Sequence, residues 1–118
     1  MPLNNPATAG PTHQQIVTES RSLGAVYQNN TGVPLYVALD AICYASAPAE
    51  CAKLRLYNDG SNPPTTTLTF DGIHYGVASN PQLVVSLFFV VLPGNYYKVS
   101  PIISGGAEVT LDRWVEWY

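Results

Sequence analysis

Charge is what this sequence has least of. Of its 118 residues only 11% are Asp, Glu, Lys or Arg, against about 25% in an average soluble protein. Five basic and eight acidic residues leave a formal net charge of −3. The basic ones, Arg21, Lys53, Arg55, Lys98 and Arg113, form no run. There is thus no electrostatic footprint for phosphate, which argues against nucleic acid as a partner. Two explanations of the scarcity stand side by side. Either the surface is a neutral β-surface of Thr, Ser and Asn, or much of it is covered by copies of the chain or by a larger particle.

Other absences narrow the chemistry. No stretch approaches the roughly 20 consecutive apolar residues of a membrane-spanning helix, and no membrane partner is expected. The opening Met-Pro-Leu-Asn-Asn-Pro lacks a basic n-region followed by an apolar h-region, so no signal peptide is expected and the chain should begin life in a cytoplasm. GxSxG, HExxH, P-loop and GxGxxG patterns are missing. His13 and His74 with no CxxC are too few ligands for a metal centre, so no metal or cofactor is expected. Asp40, Asp59, Asp71, Glu108, Asp112 and Glu116 are the candidate paired carboxylates. Most of them stand at turns, where Asp has a structural reason to be. The expectation is a protein without catalytic residues. Cys43 and Cys51 bracket the loop CYASAPAEC. Oxidised, they would close a small ring worth about 2–3 kcal/mol; a reducing cytoplasm favours two free thiols.

What is present is β-structure. Val84 to Leu92 is almost unbroken apolar sequence, stopped by Pro93-Gly94. A short β-branched and aromatic run of this kind predicts a central strand buried on both faces, with Tyr96 to Val99 as a short strand after it. Leu35, Val37, Leu39 and Ala41 alternate with Tyr36, Ala38 and Asp40, and Leu54 and Leu56 alternate with Lys53 and Arg55. Both are period-2 patterns of half-buried strands. Asp71-Gly72 between two β-prone runs predicts a two-residue type I′ hairpin. The last strand, from about Ala107 to the end, has its apolar phase broken at Arg113, which predicts a bulge or a salt bridge there. With no sustained helical periodicity, the fold class is all-β: an antiparallel sandwich or jelly roll of about eight strands.

Residues 1–22 differ from the rest. They hold three prolines, many small polar residues and only Leu3, Ile16 and Val17 as sizeable apolar side chains. They read as a disordered tail, or as an extended arm that orders along a partner with those three residues as anchors. Residues 23–118 form the β-domain. The aromatic cluster Trp114, Trp117 and Tyr118 reads as an oligomer interface, because left bare it would expose too much apolar area.

Three stretches resemble a known family. Leu23-Gly24-Ala25-Val26-Tyr27-Gln28-Asn29-Asn30-Thr31-Gly32-Val33-Pro34-Leu35-Tyr36-Val37 resembles an opening motif "LGT.Y.N.TG.P..V". Phe89 to Val99, FVVLPGNYYKV, resembles "F.VPPG..Y.V", and Trp114-Val115-Glu116-Trp117 resembles a closing "W.EL". These motifs mark small β-sandwich domains of tailed-bacteriophage tail-fibre and other virion surface proteins. Leu92 departs from the pattern, standing where a second proline is common, and so does the ending Trp117-Tyr118. The resemblance implies a non-enzymatic homo-oligomer, a trimer, on a virion surface, assembled in a bacterial cytoplasm. In the family the domain tips a long fibre, whereas here it makes up nearly all of the sequence. The expected role is therefore a capsid decoration (cement) protein, bound to the major capsid protein or another virion protein by the N-terminal arm. A fibre-tip adhesin that recognises host surface glycan is the alternative, and a free-standing carbohydrate-binding module the second.

Overall fold

The computed structural model describes residues 11–45, 47, 50–75 and 82–118, with residues 68–75 described through their backbone alone. Among the described residues eight strands are formed: β1 (Gln14–Ile16), β2 (Tyr27–Gln28), β3 (Leu35–Tyr44), β4 (Cys51–Asp59), β5 (Thr67–Tyr75), β6 (Gln82–Val91), β7 (Tyr96–Ser104) and β8 (Glu108–Trp117). They make two four-stranded antiparallel sheets. Sheet A has the order β1-β8-β3-β6 and sheet B the order β2-β7-β4-β5. First pairs with last, second with seventh, third with sixth and fourth with fifth. This is the connectivity of a jelly roll, one long folded hairpin wrapped into two sheets.

Alternation builds the core. Leu35, Val37, Leu39, Ala41 and Cys43 of β3 face Ala52, Leu54 and Leu56 of β4 across the sandwich, and all are buried. Val85, Leu87, Phe89 and Val91 of β6 join them with Tyr97 and Val99 of β7. The β6–β7 connection is a tight turn in which Asn95 N–H donates to Leu92 C=O at 3.0 Å. Pro93 presets the first corner, and Gly94 supplies the positive φ of 81° that the second requires. β7 runs well past Val99, through Pro101 to Ser104. A proline is tolerated there because β2 pairs only with Tyr96 and Tyr97, so that among the described residues that side of Pro101 has no ladder partner.

Three strand expectations are corrected. Asp71-Gly72 is not a hairpin: β5 continues straight through it, paired with β4 on both sides. The register steps from Ala52↔His74 to Leu54↔Asp71, so β5 carries one extra residue and the glycine sits in a bulge. β6 is not a central strand but the edge of sheet A, with only its odd-numbered side chains inside. The segment before residue 23 is not all a free arm. β1 pairs with β8, and Val17 N–H donates to Trp114 C=O at 2.8 Å.

The disturbance at Arg113 is a bulge. Asp40 pairs with Arg113 but Ala41 with Leu111, so Asp112 is the extra residue. One inserted residue moves every later side chain to the other face. Val109 and Leu111 point inward before it; Trp114 and Glu116 point inward after it.

Candidate interaction face

The residues that carry the family resemblance meet inside the molecule, in two clusters. Asn29, 1% exposed, donates from Nδ2 to the carbonyls of Val33 (2.8 Å) and Val91 (2.9 Å). Its Oδ1 accepts from Thr31 N–H (3.0 Å) and Thr31 Oγ1 (2.7 Å). Its backbone exchanges bonds with the β6–β7 turn: Asn29 N–H to Asn95 C=O and Gly94 N–H to Asn29 C=O, both 2.9 Å. The first two motifs thus build one corner that ties the loop before β3 to the end of β6. Its buried side chain also makes Asn29-Asn30-Thr31 unsuited to glycosylation in the folded protein.

The second cluster surrounds Glu116, 5% exposed. Its carboxylate accepts from Arg21 Nη2 (2.8 Å) and Nε (3.2 Å), Tyr97 OH (2.7 Å) and Trp114 Nε1 (2.9 Å). The Arg21 guanidinium lies 4.6 Å from the centroid of Tyr27, and Tyr27, Tyr97 and Trp114 pack ring against ring. Burial pushes the Tyr97 phenol well above its ordinary range, and the Glu116 carboxylate pushes it further. Burial opposes the Arg21 charge, but the hydrogen bond and attraction of Glu116 outweigh it and raise the pKa. Arg21 is thereby latched onto β7 and β8.

The remaining candidates have structural work. Trp114 is 0% exposed and belongs to the core, so it is not available to a neighbouring subunit; the bulge at Asp112 is what turned it inward. Trp117 is half-buried and donates from Nε1 to Gln14 Oε1 at 2.8 Å. Tyr118 stacks on His13 with centroids 4.9 Å apart, and its hydroxyl accepts from Gln15 Nε2. Both are clasped by the chain's own N-terminal segment. Val17 packs against the core rather than reaching out, Ile16 is 63% exposed, and Leu3 lies outside the described residues. Cys43 is buried and Cys51 half-buried, both with free thiols. Asp40 accepts from Ser86 Oγ at 2.6 Å. Asp59 accepts from the backbone N–H of Ser61, Thr65 and Thr66, which hold its carboxyl well below the usual range. The side chains of Asp71 and His74 lie outside the described residues. Among the described residues no group of three or more His, Cys, Asp or Glu is placed to hold a metal ion.

The outer face of sheet A carries apolar side chains that the core does not use. Cross-strand register lines up Ile16, Val115, Ala38 and Phe88 in one rung, and Gln14, Trp117, Tyr36 and Val90 in the next. Further along come Arg113, Asp40 and Ser86, then Thr110, Ile42 and Val84. Phe88 is 66% and Val84 62% exposed. A shallow depression of about 310 Å³ opens between β3 and β8, lined by Ala38, Leu39, Asp40, Arg113 and Val115. Sheet B differs. Its outer face collects Lys53, Arg55 and Lys98, with Lys98 Nζ 4.7 Å from the centroid of Tyr57. Alternation on two strands gathers these basic residues where linear sequence shows no run. No family model, curated protein or solved structure matches the chain.

Proposed function

We propose that this protein is a non-enzymatic structural component of a bacteriophage virion, a capsid decoration (cement) protein lying on the particle surface. The observation that carries the reading is the apolar outer face of sheet A. Of the two explanations for scarce charge, a surface of Thr, Ser and Asn does not describe this face, whose outward residues include Ile16, Phe88, Val84 and Val90. Exposed apolar side chains gathered on one face in this way mark an interaction site. The three motifs resembling virion surface domains support the reading, and jelly rolls serve in viral capsids and in lectins alike, which is support by fold analogy alone. Since Val17 is used by the core, attachment to the capsid falls on the segment before residue 11, with Leu3 as its apolar anchor.

The test compares particles with and without the protein. Particles lacking it should lose resistance to heat and low salt yet still adsorb to cells, and adding purified protein should restore them. Protein lacking residues 2–10 should fold and fail to restore. Unchanged particle stability with lost adsorption would instead establish the second reading, a fibre-tip adhesin. That reading is favoured by the outer face of sheet B, where Lys98 lies over the Tyr57 ring and an amphipathic aromatic beside a cation offers a site for a polar glycan.

A further inference from the structure

We infer that the β6 side of sheet A's outer face packs against the same face of another copy of this chain. The inference deepens the proposed function by naming what covers the apolar face, and it rests on that reading only for its place on the particle.

Three observations identify the occupant as a second copy. The first is shape. Phe88 is 66% exposed with its ring stacked along Tyr36, and its cross-strand partner Ala38 lines the depression one strand away. A face bearing an exposed ring one strand from a hollow is complementary to itself: each copy offers the ring that the other's hollow lacks. The surface is also a sheet four strands wide, which matches another sheet at about 10 Å better than it matches a single peptide.

The second is charge. Asp40 and Arg113 are direct cross-strand partners in the middle of the face. Copies related by rotation can bring the acid of one to the base of the other, whereas a partner of one sign meets as much repulsion as attraction. The third is the edge. β6 is ten residues long, pairs with β3 without a register break, and contains neither charge nor proline. Edge strands normally carry such features to prevent pairing with another chain. Asn58 Nδ2 caps the Val90 carbonyl at 2.9 Å; among the described residues no strand pairs with the far side of β6.

The experiment is sedimentation of the full chain and of F88K, V84K and A38F, with circular dichroism to verify folding. The wild type should be an oligomer at about 10 μM. Each lysine variant should be a folded monomer. A38F fills the hollow, so it should weaken association about tenfold or more, equivalent to ~1.4 kcal/mol. General stickiness would leave A38F as associated as the wild type, or more so, and that result overturns the fit. Should one lysine variant fail to fold, the other and A38F decide. A monomeric wild type, or an oligomer indifferent to all three changes, also overturns the inference. Binding to undecorated particles separates this from the functional reading. If the wild type is monomeric and F88K loses particle binding, the face belongs to a capsid protein: the inference falls and the virion role survives. An oligomer disrupted by F88K that never binds particles preserves the inference and removes the virion role.

Discussion

Replacing Glu116 tests whether the buried carboxylate, rather than apolar packing alone, fixes the N-terminal segment to the sandwich. The side chain of Glu116 is 7% exposed and that of Arg21 21%. Glu116→Ala leaves one guanidinium and two neutral donors, Tyr97 OH and Trp114 Nε1, without their acceptor. Removing one member of a buried ion pair costs about 3–5 kcal/mol, and a buried neutral donor left unmade costs about 1–3 kcal/mol. Arg21 keeps some water on its open side, which places its share at the low end, and cavity relaxation recovers part of the rest. The net expectation is a loss of about 4 kcal/mol, a large fraction of the 5–15 kcal/mol of a typical domain. Glu116→Gln retains shape and an acceptor but not charge, and should lose about 2 kcal/mol.

Urea unfolding of Glu116→Ala, Arg21→Ala and the double variant supplies the measurement. Residues in one network couple by about 0.5–3 kcal/mol, and the double variant should lose less than the sum of the singles by that amount. A loss below about 1 kcal/mol for Glu116→Ala, or no coupling, would refute the latch. The same cluster has an alkaline signature. Tyr97 stays protonated in the folded chain at pH values where the unfolded tyrosine, near pH 10, has ionised. The unfolded state therefore binds fewer protons, so stability is full below about pH 10 and falls as the pH rises above it. Tyr97→Phe should flatten that decline.

Further outcomes are expected elsewhere. Asn29→Ala removes the amide that serves the Val91 and Val33 carbonyls, the latter still accepting from Thr31 Oγ1 at 2.9 Å, and should cost about 1–3 kcal/mol in denaturant unfolding. Trp114→Ala should lower stability by about 3–5 kcal/mol; a change in association beyond that lost to unfolding would contradict its place in the core. Asp59 is held ionised by three backbone N–H groups. Its contribution is present above the ordinary carboxylate range and lost as the pH falls through and below it, so Asp59→Asn should lessen the acid dependence of melting. An unchanged acid limb would show that the turn gains nothing from the charge.

Strand identity was legible wherever alternation was clean. β3 reads from Leu35, Val37, Leu39 and Ala41, and β4 from Leu54 and Leu56, because a single buried face imposes period 2. Local rules failed where pairing overruled them. Asp-Gly favours a tight turn, yet β4 offers partners on both sides of Asp71-Gly72, and one bulge accommodates the glycine at less cost than two broken ladders. The N-terminal segment was illegible for a related reason. Its Gln14-Gln15-Ile16 has little apolar patterning, and its place comes from β8's open edge and from the Arg21–Glu116 pair, 95 residues apart.

The reading of Val84 to Leu92 as a strand buried on both faces is the most instructive departure. In one chain only Val85, Leu87, Phe89 and Val91 are inside, while Val84, Phe88 and Val90 face outward. The amino-acid pattern is that of an interior strand, and the topology puts it at an edge. These two facts are incompatible only if the single chain is the complete folding unit. One rung of outward apolar side chains also lines up behind it, from Ala38 through Val115 to Ile16. A sheet with one wetted face has no need of an apolar rung across its outer side. If the second face is covered by another copy, the pattern and the topology agree, and scarce charge becomes a property of an assembly whose single subunits leave too much apolar surface bare.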